Sequence, residues 1–563
     1  MSPDDSLAGG AEGPDALGKL TSVVLDALAE GAAARGGPLP AGGPDAVAER
    51  VRAACRPVLP EYGTGADEAL RTVVRAVTEG AADPADPRCT AHLHCPPLAV
   101  AAAADLAAAA LNPSLDSWDQ APAATALEAE VTAALAALVF PSWTATRSAV
   151  PSDAPGAPGA EPSGRVAVPA VPTLPQALDS ARAGGTPIGP AERLPTAGTA
   201  DALVTTGGTE SNLVALLLAR ERARAAGAAT VQVVCGDNAH HSVRRAAWVL
   251  GLPAPVTVPC RDGRMDPDAL DRALAGVAAP ALVVATAGTT DEGAVDPLPA
   301  LADVADRHGA ALHVDAAYGG PLLFSDRLAP RLDGLSRAVS VTLDLHKLGW
   351  QPVAAGLLAV PDSSLLAPLA LRADYLNADD DTEAGLPDLL GRSLRTTRRP
   401  DVLKIAATLR ALGRTGIGAL VEHCVDTAKE FAALVDAHPA LRRRPGEPGI
   451  STVLFRPLAA DALPPGDGDA LVADVRRRLL TTGEAVVGRA AAEDADGTRR
   501  LWLKATLLHP GAAAADLAAL LDLAARATAD AAAPTAVTAP TAAAPAPVPP
   551  PLIRTASDPE GPR

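Results

Sequence analysis

Between residues 201 and 343, short apolar runs alternate with longer helix-patterned stretches, and few folds accommodate that alternation. The spacing predicts strands near 201–206, 230–235, 255–259, 281–286, 311–315 and 338–343, with helices at 210–226, 241–250, 266–275 and 297–308. Strands separated by helices cross over and run parallel, because a tight turn joins only antiparallel neighbours. The expected fold class is therefore α/β with a mainly parallel central sheet. Such sheets bind ligands beyond the carboxyl ends of their strands, so the residues just after each apolar run carry the functional information.

Two of those runs end on reactive groups. Ala311–Tyr318 (ALHVDAAY) delivers the carboxylate of Asp315, and Ser340–Lys347 (SVTLDLHK) leads into a loop that presents Lys347. A lysine so held can form an imine with an aldehyde, and a fixed carboxylate can keep a pyridine nitrogen protonated. Together these are the protein's contribution to pyridoxal phosphate (PLP) chemistry. Asp315 alone also reads as a carboxylate capping the next turn. Ala316, Ala317, Gly319 and Gly320 leave little side chain around it, which suits a planar ring against the backbone.

The strand at 201–206 runs into Gly207-Gly208-Thr209, a turn that leaves backbone N–H groups free at a helix N-terminus, where the dipole favours an anion such as a phosphate. By itself this turn equally describes an ordinary helix start. His240 and His241 open the helix after the second strand, where an imidazole serves either as a cap or as a group stacked on a cofactor ring. Gly288-Thr289-Thr290 follows the strand at 281–286 and joins the same edge.

The 563 residues include 66 acidic and 48 basic side chains, a net charge of −18, which argues against nucleic acid or an anionic membrane as partner. The most apolar stretch, 98–111, is too short to span a bilayer and contains Asp105. The acidic N-terminus has no signal-peptide pattern. Cysteines 55, 89, 95, 235, 260 and 424 show no C-x-x-C spacing, so neither a metal site nor a disulfide framework is expected. These features describe a reduced, cytoplasmic protein. Residues 1–86 read as a helical, partly flexible arm and 87–370 as the large domain. Within the latter, the Pro/Gly/Ala-rich 144–198 reads as a disordered insertion and Leu127, Val131, Leu135 and Leu138 share a helix face. A smaller C-terminal domain is expected over 371–528, with strands around Thr452–Phe455 and Leu501–Lys504, then a disordered tail over 529–563.

Further motifs extend the pattern: His92-Leu93-His94, LDSWDQAPAATALE over 115–128, TTGGTESN, NAHHSV, TAGTTDEG, HVDAAYGG, DLHKLGWQP, ADYLN over 373–377 and RTTRRPDVLK over 395–404. In that order they resemble the group II PLP-dependent amino-acid decarboxylases over roughly residues 87–525. The resemblance implies the aspartate-aminotransferase-like (fold type I) architecture with a small C-terminal α+β domain. It implies Lys347 as the Schiff-base lysine, Asp315 as the pyridine-nitrogen partner and His240 as the stacking imidazole. Gly208, Thr209 and His346 would contact phosphate, and Thr290 and Ala317 would line the ring pocket. Tyr375, in an Asp-rich segment, would return a proton to the substrate carbon.

The motifs LNPSLDSWDQAPAAT, AHLHCPP, ADYLN and PGISTVLFRP are most similar to the diaminobutyrate decarboxylase branch, with siderophore-type lysine decarboxylases close behind. A substrate with a second, cationic amine needs a carboxylate, for which Asp116 and Asp119 are candidates; Asp119 equally reads as helping to cap the following helix. His92 and His94 complete the candidate substrate set. A homodimer is implied by the same resemblance. Departures are the 144–198 insertion, His509-Pro510 in place of Asn-Pro, and Asp344 beside the phosphate contact. Transamination, carbon–carbon cleavage or a non-catalytic scaffold are the competing readings.

Overall fold

The computed structural model describes residues 6–141, 198–278, 280–370 and 389–532. Three helices open the chain, α1 (Gly13–Arg35), α2 (Gly43–Cys55) and α3 (Ala66–Gly80), with α1 packed along α3. Then come α4 (Ala99–Leu111) and α5 (Pro122–Val139). Helix α5 buries Val131 and Leu135 on the face expected from spacing, with Leu127 and Leu138 packed at its margin. It is long and apolar enough to cross a membrane by length and composition. It nevertheless buries Glu128 in a two-pronged ion pair with Arg398 (2.6 and 2.7 Å) and packs against strand β1 (Asp201–Thr205).

After β1 come α6 (Gly208–Ala225), β2 (Gln232–Gly236), α7 (His241–Val249), β3 (Val256–Val258) and a small hairpin of β4 (Cys260–Arg261) and β5 (Arg264–Met265). Helix α8 (Pro267–Ala275) starts where local chemistry dictates: Asp266 accepts from the backbone N–H groups of Asp268 and Ala269, and Pro267 occupies the first helical turn. Then follow β6 (Ala281–Thr286), α9 (Leu298–Arg307), β7 (Ala311–Ala316), β8 (Ser340–Asp344) and β9 (Gly356–Val360). The seven-stranded sheet has the order β1-β9-β8-β7-β6-β2-β3. All its neighbours from β8 to β3 are parallel, whereas β9 is antiparallel to both β1 and β8. Strands β6, β8 and β9 are buried along their whole length, as expected of a sheet covered on both faces.

Within the large sheet, strand β9 is the one the sequence pattern misses. Its run Gly356-Leu-Leu-Ala-Val360 follows β8 through the loop 345–355 without an intervening helix, so the alternation that marks the other strands is absent. Its insertion between β1 and β8 brings the phosphate-type turn after β1 close to the lysine loop after β8.

The second sheet is antiparallel, with β10 (Leu441–Arg443), β11 (Thr452–Pro457), β12 (Gly488–Glu493) and β13 (Arg499–Thr506) in the order β10-β11-β13-β12. The expected strands at 452–455 and 501–504 pair within it, Phe455 opposite Leu503. Helix α10 (Val402–Ala437) bridges the two sheets and bends at Gly413, whose φ of 64° leaves the helical region. Helices α11 (Pro465–Thr482) and α12 (Ala514–Ala532) cover the smaller sheet. Helix α12 continues past 529, where the tail was expected to begin. The 144–198 insertion, apart from Gly198, lies outside the described residues, as do the 533–563 remainder of the tail and Tyr375.

Candidate active site

Five loops at the carboxyl edge of the large sheet close around a cavity of about 270 Å³. The turn after β1 supplies Thr206, Gly207, Gly208 and Thr209; the loop after β2 supplies His240. Thr286, Gly288 and Thr290 come from β6 and its loop, Asp315, Ala317 and Tyr318 from β7, and Asp344, His346 and Lys347 from β8. All eight residues expected to hold a cofactor, Gly208, Thr209, His240, Thr290, Asp315, Ala317, His346 and Lys347, meet in this one space.

The turn after β1 is shaped by close approach. A Cβ at Gly207 would lie 2.8 Å from His346 Cε1, and one at Gly208 would lie 2.9 Å from the Ala317 Cβ. Any side chain there would fill the slot between turn and strand. The Gly208 N–H donates to Asp344 Oδ2 (3.1 Å), and Asp344 Oδ1 lies 2.7 Å from His346 Nδ1. The acid that departs from the family pattern thus sits in the anion cradle itself, facing an imidazole.

Asp315 is buried, 7% exposed, and among the described residues no lysine or arginine pairs with it. Its Oδ2 accepts from Asn212 Nδ2 (2.7 Å) and its Oδ1 from the Ala317 N–H (3.1 Å). A buried carboxylate without a cation costs several kcal/mol, on the order of the desolvation of one ion, unless a ligand supplies the charge. A protonated pyridine ring is such a ligand, and Ala317 and His240 both line the cavity that would receive it. The residues present therefore fit the PLP expected from the sequence.

His240 is both the cap and a cavity wall. Its Nδ1 accepts from the Ser242 N–H at the start of α7 (3.3 Å) while its ring lines the cavity. Burial lowers its pKa, with Asp315 pulling the other way, so the imidazole is held toward its neutral form. The lysine loop is clamped from several directions. Leu345 N–H donates to Ala355 O (2.8 Å), Cys95 Sγ–H to His346 O (3.1 Å) and Trp350 Nε1–H to Leu508 O (2.8 Å). Lys347 is thereby fixed by both sheets and by the segment before α4.

The candidate substrate residues are placed differently. Asp116 accepts from Gln120 Nε2 (2.7 Å) and Asp119 from the Ser117 hydroxyl (2.5 Å), and neither is among the residues lining the cavity. Their loop is tied to 389–398, with Leu115 N–H donating to Arg398 O (2.9 Å). His92 and His94 are likewise not in the lining. Burial lowers the pKa of His92, and Lys504, Arg476 and His94 lower it further. Lys504, which the sequence reading passed over, donates from β13 to the carbonyl of Thr290 in the cavity wall (2.9 Å). A lone lysine inside the apolar run Leu-Trp-Leu-Lys-Ala-Thr was the available signal.

Also unforeseen is the polar cluster behind Asp315. Asn212 from α6, His313 from β7, Thr342 from β8 and Ser242 from α7 are all buried, and the last three are each hydrogen-bonded to Asn212. Asn212 and Ser242 belong to motifs quoted above, and His313 is a histidine amid strand apolars, but spacing alone does not reveal that they converge.

The family model described as "Pyridoxal-dependent decarboxylase conserved domain" matches residues 189–457. The L-2,4-diaminobutyrate decarboxylase of Rhizobium meliloti (strain 1021) is 39% identical over 463 residues, 80% of each chain. That of Acinetobacter baumannii is 30% identical over 453 residues, 76% of this chain and 78% of that protein. Among solved structures, the glutamate decarboxylase domain of diaminobutyrate-pyruvate transaminase and L-2,4-diaminobutyrate decarboxylase from Vibrio parahaemolyticus superposes with a TM-score of 0.72. It is 28% identical, with 94% of this chain and 98% of that one covered.

Proposed function

This chain belongs to the group II PLP-dependent amino-acid decarboxylases, and from that premise we propose that it converts L-2,4-diaminobutyrate into 1,3-diaminopropane and carbon dioxide. It is a carboxy-lyase acting on an amino acid, with pyridoxal phosphate as cofactor. The observation that carries the choice of substrate is the likeness, over four-fifths of both chains, to a diaminobutyrate decarboxylase.

When bound, pyridoxal phosphate supplies a cationic ring that accepts the electrons of the breaking Cα–carboxylate bond. Lys347 would offer the amine that holds the cofactor's aldehyde. Asp315 would keep the ring nitrogen protonated. His240 and Ala317 would hold the ring, and a ring so held would set the orientation of the bonds at Cα. The Gly207–Thr209 turn, at the positive end of α6, and His346 take the phosphate, with Thr290 at the rim. Tyr375 returns a proton to Cα. Asp116 and Asp119, though outside the cavity lining, are the carboxylates this reading assigns to the second amine, and His92 and His94 complete its substrate set.

The test is to incubate the PLP-loaded protein with diaminobutyrate, ornithine, lysine, glutamate and aromatic amino acids, following carbon dioxide and amine. Diaminopropane formed fastest from diaminobutyrate supports the reading. Preference for lysine or ornithine transfers it to the long-chain diamine class, and consumption of a keto acid without carbon dioxide defeats it.

The same reading makes the working form a cytoplasmic homodimer. Leu25 and Leu28 on α1, Val73 and Val77 on α3, and Val100, Leu106 and Leu111 on α4 leave apolar side chains in solvent on the N-terminal helices. A second copy is the occupant that would cover them. Light scattering that returns the mass of a single chain at micromolar concentration would remove this part of the proposal.

A further inference from the structure

Asn212 uses its whole hydrogen-bonding capacity, and the Asp315 carboxylate fixes which way its amide faces. Its Nδ2 lies 2.7 Å from Asp315 Oδ2 and 2.9 Å from Ser242 Oγ. The amide nitrogen must face the carboxylate, since two acceptor oxygens would repel. Oδ1 then points away and takes two donors, the Thr342 hydroxyl (2.8 Å) and His313 Nε2 (3.1 Å). His313 is fully buried, and burial pushes its pKa down to about 4, which holds the ring toward its neutral form; opposite the amide oxygen, its Nε2 is the donor. Its Nδ1 faces Ser340, whose hydroxyl lies at 2.8 Å and whose carbonyl oxygen lies at 3.1 Å. On the other branch, Ser242 Oγ receives from Asn212, while the Ser242 backbone N–H donates to His240 Nδ1 (3.3 Å); that nitrogen is therefore an acceptor, the Ser242 hydroxyl beside it (2.8 Å) is turned to donate, and the His240 proton is left on Nε2.

One amide thus reaches both groups that flank the ring site: the Asp315 carboxylate directly and His240 through the Ser242 hydroxyl. We propose that Asn212 is a positioning residue for the reaction, coupling Asp315 to His240, and that His313, clamped between Asn212 and Ser340, locks the amide in its productive orientation. Reversal of the amide would put its oxygen against Asp315 and its nitrogen against two donors. His313 and Thr342 block that reversal from behind. The proposal rests on the PLP reading only in that the cofactor reports it; the bond directions are properties of this chain.

The test compares Asn212→Leu, His313→Leu and His313→Gln, the last keeping a side-chain N–H donor. The readouts are the pH midpoint of the cofactor's visible absorption band, the cofactor dissociation constant of the apo protein, and kcat and KM separately. Asn212→Leu and His313→Leu are expected to weaken cofactor binding about tenfold, as loss of a hydrogen bond to a buried charge does. They should move the absorption midpoint by about one pH unit and lower kcat more than they raise KM. His313→Gln should stay close to the parent in all three. If both leucine variants lose thermal stability but keep the parent's midpoint and cofactor affinity, the cluster is merely structural and the proposal is overturned. Should Asn212→Leu fail to fold, Ser242→Ala, which cuts only the branch to His240, takes its place. An unmoved midpoint in both Ser242→Ala and His313→Leu is then the overturning result.

Discussion

The carboxyl edge of the large sheet and the loops around α4 and α5 are equally rich in motifs, yet they use them in opposite ways. At the sheet edge, residues from five strand ends converge on one cavity, and the polar atoms behind it orient the groups that face it. In the second region, motif residues mostly bind one another: Glu128 with Arg398, Asp105 with Arg399 and Lys404, Lys404 with Asp401, Asp116 with Gln120. Lys404 and Arg398 are almost completely buried there, so their charges serve to fasten α4, α5 and α10 together. A motif of charged residues marks chemistry when it ends a strand beside a void, and architecture when its partners lie within reach.

The largest effect should come from Lys347→Ala, which removes the amine proposed to hold the cofactor. Decarboxylation is expected to fall by about 10⁴-fold, the upper range for one positioned catalytic group, with the fold intact by circular dichroism. Turnover preserved in that variant would erase the distinction between the two regions. Glu128→Gln should do the reverse, leaving kcat per folded molecule near the parent value. It strands Arg398 in the interior at about 3–5 kcal/mol of stability, readable in denaturant unfolding; a loss of kcat without a loss of stability would move Glu128 to the active region.

Next is an acid effect from the cluster behind Asp315. The unfolded imidazole of His313 protonates near pH 6.5 and the folded one only near 4. Between those values the unfolded state binds more protons, so stability falls as pH drops from 6.5 to 4 and this group contributes nothing above 6.5. The penalty at pH 4 is on the order of 3 kcal/mol. Unfolding curves of the parent and His313→Gln should therefore converge at pH 7 and part at pH 4.5, with the parent the more acid-sensitive. The smallest effect is expected from Asp119→Asn. If its carboxylate meets the substrate's second amine, KM for diaminobutyrate rises about tenfold while kcat changes little. An unchanged KM assigns Asp119 to its Ser117 contact alone.

Much of the sheet edge was legible in the sequence because strand ends are fixed by local pattern. An apolar run terminates, its last side chains emerge at the carboxyl edge, and Asp315, Lys347 and the Gly207-Gly208 turn declare their chemistry by residue type. Strand β9 was not legible, since an antiparallel strand without a crossover helix breaks the pattern that announces the others. Asn212, His313 and Thr342 were not legible as a unit either. They come from a helix and two strands, and their hydrogen bonds span 101 and 130 residues of chain.

By itself, then, the sequence determined the parallel sheet, the lysine and carboxylate proposed for the cofactor, and the family in whose pattern they fall, because each depends on periodicity or on the type of a single residue. The tertiary structure decided which charges are chemical and which are structural, how Lys504 comes to the cavity wall, and which way the Asn212 amide points. Those outcomes depend on distances between segments remote in sequence and on the exclusion of water around them, and neither quantity exists until the chain has folded.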